Sequence, residues 1–344
     1  MDRIHKFICV VVPTTACNLR CSYCYLRCYK AKPVGLDCVK YSPAQFRRAL
    51  SRKRLGGVCL FNFTANGETL LYPQMIEYVR ELLEEGHYVE VVTNATIESA
   101  FASLASFPKE LLSHLMMKCS FHYQQLRERG LLDLFFKNVR MIRDAGASFT
   151  VELMPHDEIL PFRDEIRNLM IKEVGAPCHL TVGRDAAVST LPILTHMPID
   201  EYRKAWSLFD SKLFEYKLSV FGRKQTGFCY AGEWMGVVNL ATGVMSQCYC
   251  GIKSFNIFSS LDKPLPFTAI GAMCREPHCY NAHAWLTFGC IPDSPAPYYD
   301  EMRNRVCEDG SEWLKPQVKS FFFPSEIHRE QFGVFSEEER IDKD

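Results

Sequence analysis

Over its first two thirds the chain alternates short apolar, β-branched runs with longer amphipathic stretches, and nothing else in the sequence narrows the fold so far. This is the pattern of repeated βα units around a parallel sheet. Six strands are expected: Phe7 to Val12, Val58 to Phe63, Tyr88 to Thr93, Leu115 to Phe121, Phe149 to Leu153 and His179 to Val182. Each is followed by a helical segment. The clearest are Pro43 to Leu55 behind a Ser42 cap, Pro73 to Glu85 stopping at Gly86, Leu126 to Ala145 stopping at Gly146, and Phe162 to Val174 stopping at Gly175. Ser before a helix satisfies its free N–H groups, and Gly after it adopts the left-handed conformation that ends it. A further helix is expected from Ile199 to Tyr216. Six units suit a partial barrel, although spacing alone does not separate a barrel from a doubly wound sheet; in either, ligands sit at the carboxyl ends of the strands.

After Tyr216 the alternation fades, and Gly227 to Pro292 carries six of the sixteen cysteines together with Gly, His and Asn. The expected organisation is an α/β barrel over residues 1–217, a loop-rich, cysteine-rich domain over 218–310 and a cap or tail over 311–344. Forty Lys and Arg balance forty Asp and Glu, so the composition shows no basic footprint for nucleic acid and no polybasic membrane anchor. No apolar stretch approaches the roughly 20 residues that span a bilayer. Phe7 to Val12 is too short for a secretory h-region and lacks a small-residue cleavage site. A cytoplasmic location is expected, where thiols stay reduced, and that turns the cysteine count into a question about metal or catalysis.

The first strand runs into Thr14-Thr15-Ala16-Cys17-Asn18-Leu19-Arg20-Cys21-Ser22-Tyr23-Cys24, a C-x3-C-x2-C triplet in a loop at the strand's carboxyl end. A structural zinc site closes with four ligands, whereas three thiolates suit a [4Fe-4S] cubane with one iron left open to a small molecule. The competing reading is packing cysteines, or a zinc site completed from elsewhere. The triplet, with Tyr23 before its third Cys, resembles the radical S-adenosylmethionine superfamily. That resemblance implies a partial (β/α)6 TIM-like barrel, S-adenosylmethionine chelated at the open iron, its reductive cleavage to a 5'-deoxyadenosyl radical, and hydrogen abstraction from an organic substrate. It also implies an external electron donor such as flavodoxin or ferredoxin. One βα unit later the superfamily places a Gly-Gly-Glu-Pro-like turn that binds the methionyl amino group. Here the turn reads Asn66-Gly67-Glu68-Thr69, with Asn in a position where a left-handed backbone is tolerated.

Polar residues at the other strand ends are candidates for the pocket: Asn94, Ser120, His122 with Tyr123, Glu152, His156 with Asp157, and Arg184 with Asp185. By resemblance, Ser120, Glu152 and Arg184 hold the ribose hydroxyls and the methionyl carboxylate, with Tyr23, Asn66, Gly67, Glu68 and Asn94 also lining the cofactor. His122 and Tyr123 are candidates to move a proton at the barrel mouth. Each could equally be a helix cap or a packed ring.

The second group begins Cys229-Tyr230-Ala231-Gly232 and continues through Gly243, Cys248, Cys250, Cys274, Cys279 and Cys290. The C-x13-G-x4-C opening resembles the SPASM or twitch extension, which carries an auxiliary [4Fe-4S] cluster. The chain departs from the seven-Cys SPASM pattern, since Cys274 and Cys279 are five apart and no C-x2-C follows. The resemblance therefore implies one auxiliary cluster, with Cys229, Cys248, Cys274 and Cys279 as ligands and Cys250 and Cys290 as alternatives. Cys9, Cys59 and Cys119 lie inside strands and read as packing residues.

Three functions are open to such a chain. One is oxidation of a small molecule such as a sugar, cyclitol or amino acid, with the electron passed to the auxiliary cluster. The second is maturation of a ribosomally made peptide or protein side chain by crosslinking, epimerisation or oxidation, against which stands the short stretch before the first strand. The third, a non-catalytic electron carrier, would have no use for the turn at Gly67-Glu68.

Overall fold

A computed structural model describes residues 4–30, 32, 34–249, 251–272, 274–279 and 283–322. Nine strands form one sheet: β1 (Phe7–Val12), β2 (Leu60–Ala65), β3 (Tyr88–Thr93), β4 (Leu115–Ser120), β5 (Ser148–Leu153), β6 (His179–Leu180), β7 (Met235–Asn239), β8 (Val244–Ser246) and β9 (Ser254–Asn256). Their order is β6-β5-β4-β3-β2-β1-β7-β8-β9. Strands β1 to β6 pair in parallel in sequence order, as the six-unit reading expects. Strand β7 lies parallel on the free side of β1, and β8 and β9 follow as an antiparallel meander. The cysteine-rich part thus begins by extending the sheet.

The local chemistry explains both the matches and the differences. Ser42 and Gln45 form a reciprocal capping box that starts Pro43–Ala49. The expected long helix there divides, because Ser51 begins a second one, Arg52–Leu55. The segment expected as Leu126 to Ala145 is two helices, Tyr123–Glu128 and Leu132–Ala145, turned by Gly130 at φ +64°. Ile199 to Tyr216 breaks where Asp210 takes a left-handed backbone, and Ser211 caps a new helix, Lys212–Val220. Strand β2 starts two residues later than expected, and ahead of it the Val58 carbonyl accepts from the His5 N–H at 2.7 Å. Strand β6 is short, and on its free edge the Leu180 N–H donates to the Ser211 hydroxyl at 2.9 Å.

One face of the sheet packs Ile8, Val10, Phe61, Phe63, Val89 and Val91 against the helices. On the other face, Phe7, Leu60, Tyr88 and Met116 join Trp285, Phe288, Tyr299, Leu314 and Phe321 from the carboxyl-terminal third. That second cluster plugs the amino ends of the strands. Phe321, in the helix Pro316–Phe322, stacks on Tyr88 at 3.7 Å between centroids. The acidic end expected beyond it lies outside the described residues. No helix among the described residues is long and apolar enough to cross a membrane.

Next to this plug the same face is charged. Tyr299 donates to Glu90 at 2.6 Å, Lys118 Nζ lies 3.5 Å from Glu90 and 3.3 Å from Glu152, and Arg303 pairs with Glu152. All are buried or nearly so. Burial opposes ionisation of Glu152, but Arg303, Lys118 and Lys217 outweigh it and hold the carboxyl below its usual range. Lys217 donates to Thr181 at 2.6 Å. Burial, with Arg184, Lys118 and Arg303 nearby and only Glu152 opposing, brings its ammonium down to about 7. Such a network fixes the seat of Arg303, and removing one member strands the others without a partner.

Candidate active site

The loop after β1 is held by its own backbone and by the turn after β2. Thr14 is buried, its hydroxyl donating to the Val34 carbonyl at 2.7 Å and accepting from the Ala16 N–H at 3.1 Å. Gly67 N–H donates to the Thr14 carbonyl and Glu68 N–H to the Ala16 carbonyl, each at 2.9 Å. A Cβ on Gly67 would stand 2.0 Å from the Ala16 oxygen, so only glycine lets the two loops meet. Neither Asn66 nor Gly67 has a positive φ. Close approach, rather than the expected left-handed turn, is the reason for the glycine.

Glu68 is 2 % exposed, and its carboxylate accepts from Leu70 N–H (3.0 Å), Thr93 Oγ1 (2.6 Å) and Asn94 N–H (2.7 Å). Burial raises its pKa and these donors oppose the rise. The side chain ties β2's turn to β3's end, so what it does here is position the loop. Asn94 then donates to Asn18 at 2.8 Å and approaches Cys17 Sγ at 3.9 Å. Asn18 donates to Thr96 at 2.7 Å, and Tyr25 donates to the Asn66 carbonyl and side-chain oxygen. Sequence reading missed Asn18, Thr96 and Tyr25, which carry no motif of their own.

Cys17 is exposed, Cys24 half-buried and Cys21 buried. The three act electrostatically on one another: Cys24 raises the Cys17 thiol, and Cys17 and Cys24 raise Cys21. Burial dominates in both cases and pushes Cys21 up to about 12. The Leu19 N–H donates to Cys17 Sγ at 3.4 Å. Among the described residues, no three Cys, His, Asp or Glu side chains are already drawn to metal-holding spacing. The donor set still fits a cluster: three thiols share one loop, an N–H points at one sulfur, and a second loop is packed in by a glycine that admits no side chain. Loading must displace thiol protons, which makes it pH-dependent.

Beside the thiols, the Tyr23 hydroxyl is hydrogen-bonded to His122 Nδ1 at 2.6 Å, and its ring meets His156 edge-on at 4.7 Å. Burial, then His156, brings His122 down to about 4, so the ring is neutral. The expected pairing of His122 with Tyr123 does not occur. Tyr123 packs between Phe121 and Phe162, and its hydroxyl donates to Glu165 at 2.6 Å, toward the helix Arg163–Val174. Ser120 stands opposite Glu152 in the β4–β5 register. Glu152 is committed to Arg303 and Lys118, and Arg184 lies over the Phe221 ring and acts on Lys217 and His278. Asp157 holds Thr195 and His196 N–H.

The second thiol group is built differently. The Cys229 backbone bridges Gly271, and the Tyr230 N–H donates to the Cys290 carbonyl at 2.7 Å. These bonds bring together strand-like and loop segments 42 and 60 residues apart. A hydrogen bond from Cys290 lowers the Cys229 thiol to about 7; in turn Cys229 raises Cys290, with burial, Cys279 and Cys248 adding to the rise. Cys229 and Cys290 are buried within the apolar cluster of Trp234, Trp285 and Ile291, and half-buried Cys248 and Cys279 pack against it. Cys274 is not among the thiols that act most strongly on Cys290. Phe288 and Ile291, the expected apolar neighbours of Cys290, lie with it in that apolar cluster. Cys250 and the His283 side chain lie outside the described residues. Cys9, Cys59 and Cys119 are buried as expected, Cys9 with its sulfur 3.2 Å from the Tyr249 hydroxyl.

A parallel βα barrel with convergent thiols after its first strand defines an enzyme class that handles a cofactor at the carboxyl ends of its strands. Residues 11–159 match the radical SAM superfamily, and the chain carries that superfamily's domain. Members of this superfamily are enzymes that use a [4Fe-4S] cluster and S-adenosylmethionine. The chain is 33% identical over 89 residues to neomycin C epimerase of Streptomyces fradiae, a stretch that spans 25% of this chain and 26% of that one. Its fold is similar to SuiB of Streptococcus suis, with a TM-score of 0.51 at 14% identity, covering 76% of this chain and 65% of SuiB. It also matches anSMEcpe with bound AdoMet, with a TM-score of 0.47 at 16% identity over 74% of this chain and 79% of that one.

Proposed function

We propose that this chain cleaves S-adenosylmethionine reductively and abstracts hydrogen from a small organic substrate, with a second, auxiliary cluster taking part in the redox step. The observation that carries the reading is the seating of Cys17, Cys21 and Cys24 against the Gly67 turn at the carboxyl ends of β1 and β2. Cys17, Cys21 and Cys24 would hold a [4Fe-4S] cluster, and Cys229, Cys248, Cys279 and Cys290 the auxiliary one. When bound, the first cluster supplies one electron to the sulfonium, and the cofactor supplies the hydrogen-abstracting carbon radical.

The chain's own residues do the rest. Glu68 fixes the turn whose backbone faces the loop, Asn94 orients Asn18 beside Cys17, and Tyr23 with neutral His122 forms a wall that holds a proton between hydroxyl and imidazole. The choice of a small molecule draws on the similarity to neomycin C epimerase. Reduced, reconstituted protein given S-adenosylmethionine should release 5'-deoxyadenosine, and Cys17→Ala, Cys21→Ala or Cys24→Ala should abolish the release. Release that persists in those variants would end the reading. Solvent deuterium or oxidation appearing in an aminated or hydroxylated small molecule would support the substrate class, and modification of a peptide alone would replace it.

A further inference from the structure

The inner face of the parallel strands is built in tiers. Side chains alternate between the two sides of a sheet, so Cys9, Asn62, Glu90 and Met116, in register across β1 to β4, form one buried tier. The next tier, nearer the carboxyl ends, is open. There Val11 pairs with Thr64 and Val92 with Lys118, and these four are half-buried, although Val10, Phe63, Val91 and Cys119 on the helix-facing side are buried. Ser120 and Thr181 are half-buried on the same side. The charged side chains half-buried at this level are all cations: Lys118, Arg184 and Lys217. The acids are sealed or held elsewhere. Glu90 is 0 % and Glu152 8 % exposed, both engaged by the network around Arg303, while Asp157 is taken by Thr195 and the His196 N–H and Asp185 by the Ala187 N–H.

Lys217 differs from the other cations of that network. Lys118 lies between two carboxylates and Arg303 pairs with Glu152, but Lys217 makes no ion pair among the described residues, and its ammonium donates only to the Thr181 hydroxyl at 2.6 Å. Two of its three donors are left over. Glu152, the carboxylate that acts on it, is committed to Arg303 and Lys118, and Arg184, Lys118 and Arg303 all repel it. An enclosed ammonium among cations is unfavourable until a ligand brings it both opposite charge and acceptor atoms. We propose that Lys217, with the Thr181 hydroxyl beside it, is the seat for an acidic group, carboxylate or phosphate, of the substrate. The inference rests on the proposed function, because only a substrate held inside the barrel brings such a group there, and it narrows that substrate to an acid. The cofactor's methionyl carboxylate is the other source of such a group. Lys217 stands against the end of β6, five strands across the sheet from the β1 loop that carries the thiols, and this favours the substrate.

The test measures binding to the reconstituted holoenzyme with S-adenosylmethionine present, using D-glucuronate and D-glycerate against their neutral counterparts D-glucose and glycerol, with D-glucosamine as the amine. At least one acid should bind about tenfold or more tighter than its neutral counterpart, the strength of one charge-assisted contact. Glucosamine should gain nothing over glucose. Lys217→Met should cut the acid's advantage to within about twofold, and Lys217→Arg should keep it. Cofactor affinity should stay within about twofold of wild type in both variants. Since Lys217 has no carboxylate of its own, Lys217→Met should also melt at or above the wild-type temperature. An acid advantage that is absent from wild type, or that survives in Lys217→Met, overturns the proposal. So does a loss of cofactor affinity in Lys217→Met, which would give the seat to the methionyl carboxylate, or a failure of that variant to fold, which would make Lys217 a structural partner of Glu152. Wild-type protein that shows the acid advantage but releases no 5'-deoxyadenosine with dithionite would instead defeat the functional reading and uphold the seat.

Discussion

The two thiol groups are opposites in construction. The first sits in one loop within eight residues, partly exposed, braced by backbone bonds to a glycine turn and by the side chain of Glu68. The second is assembled from segments far apart in sequence, with Cys229 and Cys290 buried beside Trp234, Trp285 and Ile291 and Cys248 and Cys279 half-buried against them. Under the proposed function, a site with three ligands and an exposed edge can take a further ligand, whereas a site closed by four thiols is left to exchange electrons. On the proposed function, the first would bind and react and the second would store an electron.

The largest expected effect separates the two directly. Cys24→Ala should abolish formation of 5'-deoxyadenosine, while Cys290→Ala should leave some cleavage and lower the iron content from about eight per chain to about four. Iron analysis beside a chromatographic assay checks both. Loss of both clusters in either variant would dissolve the distinction.

Next comes Gly67→Ala. Its Cβ meets the Ala16 carbonyl at 2.0 Å, and backbone has no rotamer with which to yield. Overpacking of this kind costs about 1–3 kcal/mol. Cleavage should fall by about a hundredfold or more, a displacement effect on a positioned group, while the second cluster remains. A thermal melt and the same assay distinguish a lost site from a lost fold.

Arg303→Met sharpens the comparison from the other side, since Arg303 comes from the carboxyl-terminal third and pairs with Glu152 in the barrel. Removing one partner of a buried pair costs about 3–5 kcal/mol, moderated here by Lys118 at 3.3 Å from Glu152. Denaturant unfolding should show that loss. The smallest effect is expected for Cys274→Ser, which should keep both iron content and activity; a loss of about four irons would restore Cys274 to the ligand set.

The barrel was legible in the sequence because each strand is a continuous apolar run and each helix carries its own stop signal. The same local logic failed where a turn decided the outcome: Gly130 and Asp210 each divide a segment whose periodicity runs straight through. Cys17, Cys21 and Cys24 were readable because their spacing is local. The second set was less readable, since what brings Cys290 beside Cys229 is the bond from Tyr230 to the Cys290 carbonyl across 60 residues. Tyr23 rather than Tyr123 meets His122 for a similar reason: Tyr123 begins a helix and turns outward to Glu165. Glu90 and Lys118, single charges within buried strands, were a signal that went unread, for a buried charge in a strand needs a partner.

The most direct measurement is electron paramagnetic resonance of the reduced protein with and without S-adenosylmethionine, in wild type and in the Cys17→Ala, Cys21→Ala, Cys24→Ala triple variant. Wild type should show two cluster signals, of which one changes when the cofactor is added. The triple variant should keep a single signal that the cofactor does not alter. A remaining signal that still responds to the cofactor, or no signal at all, would contradict the division into an open and a closed site.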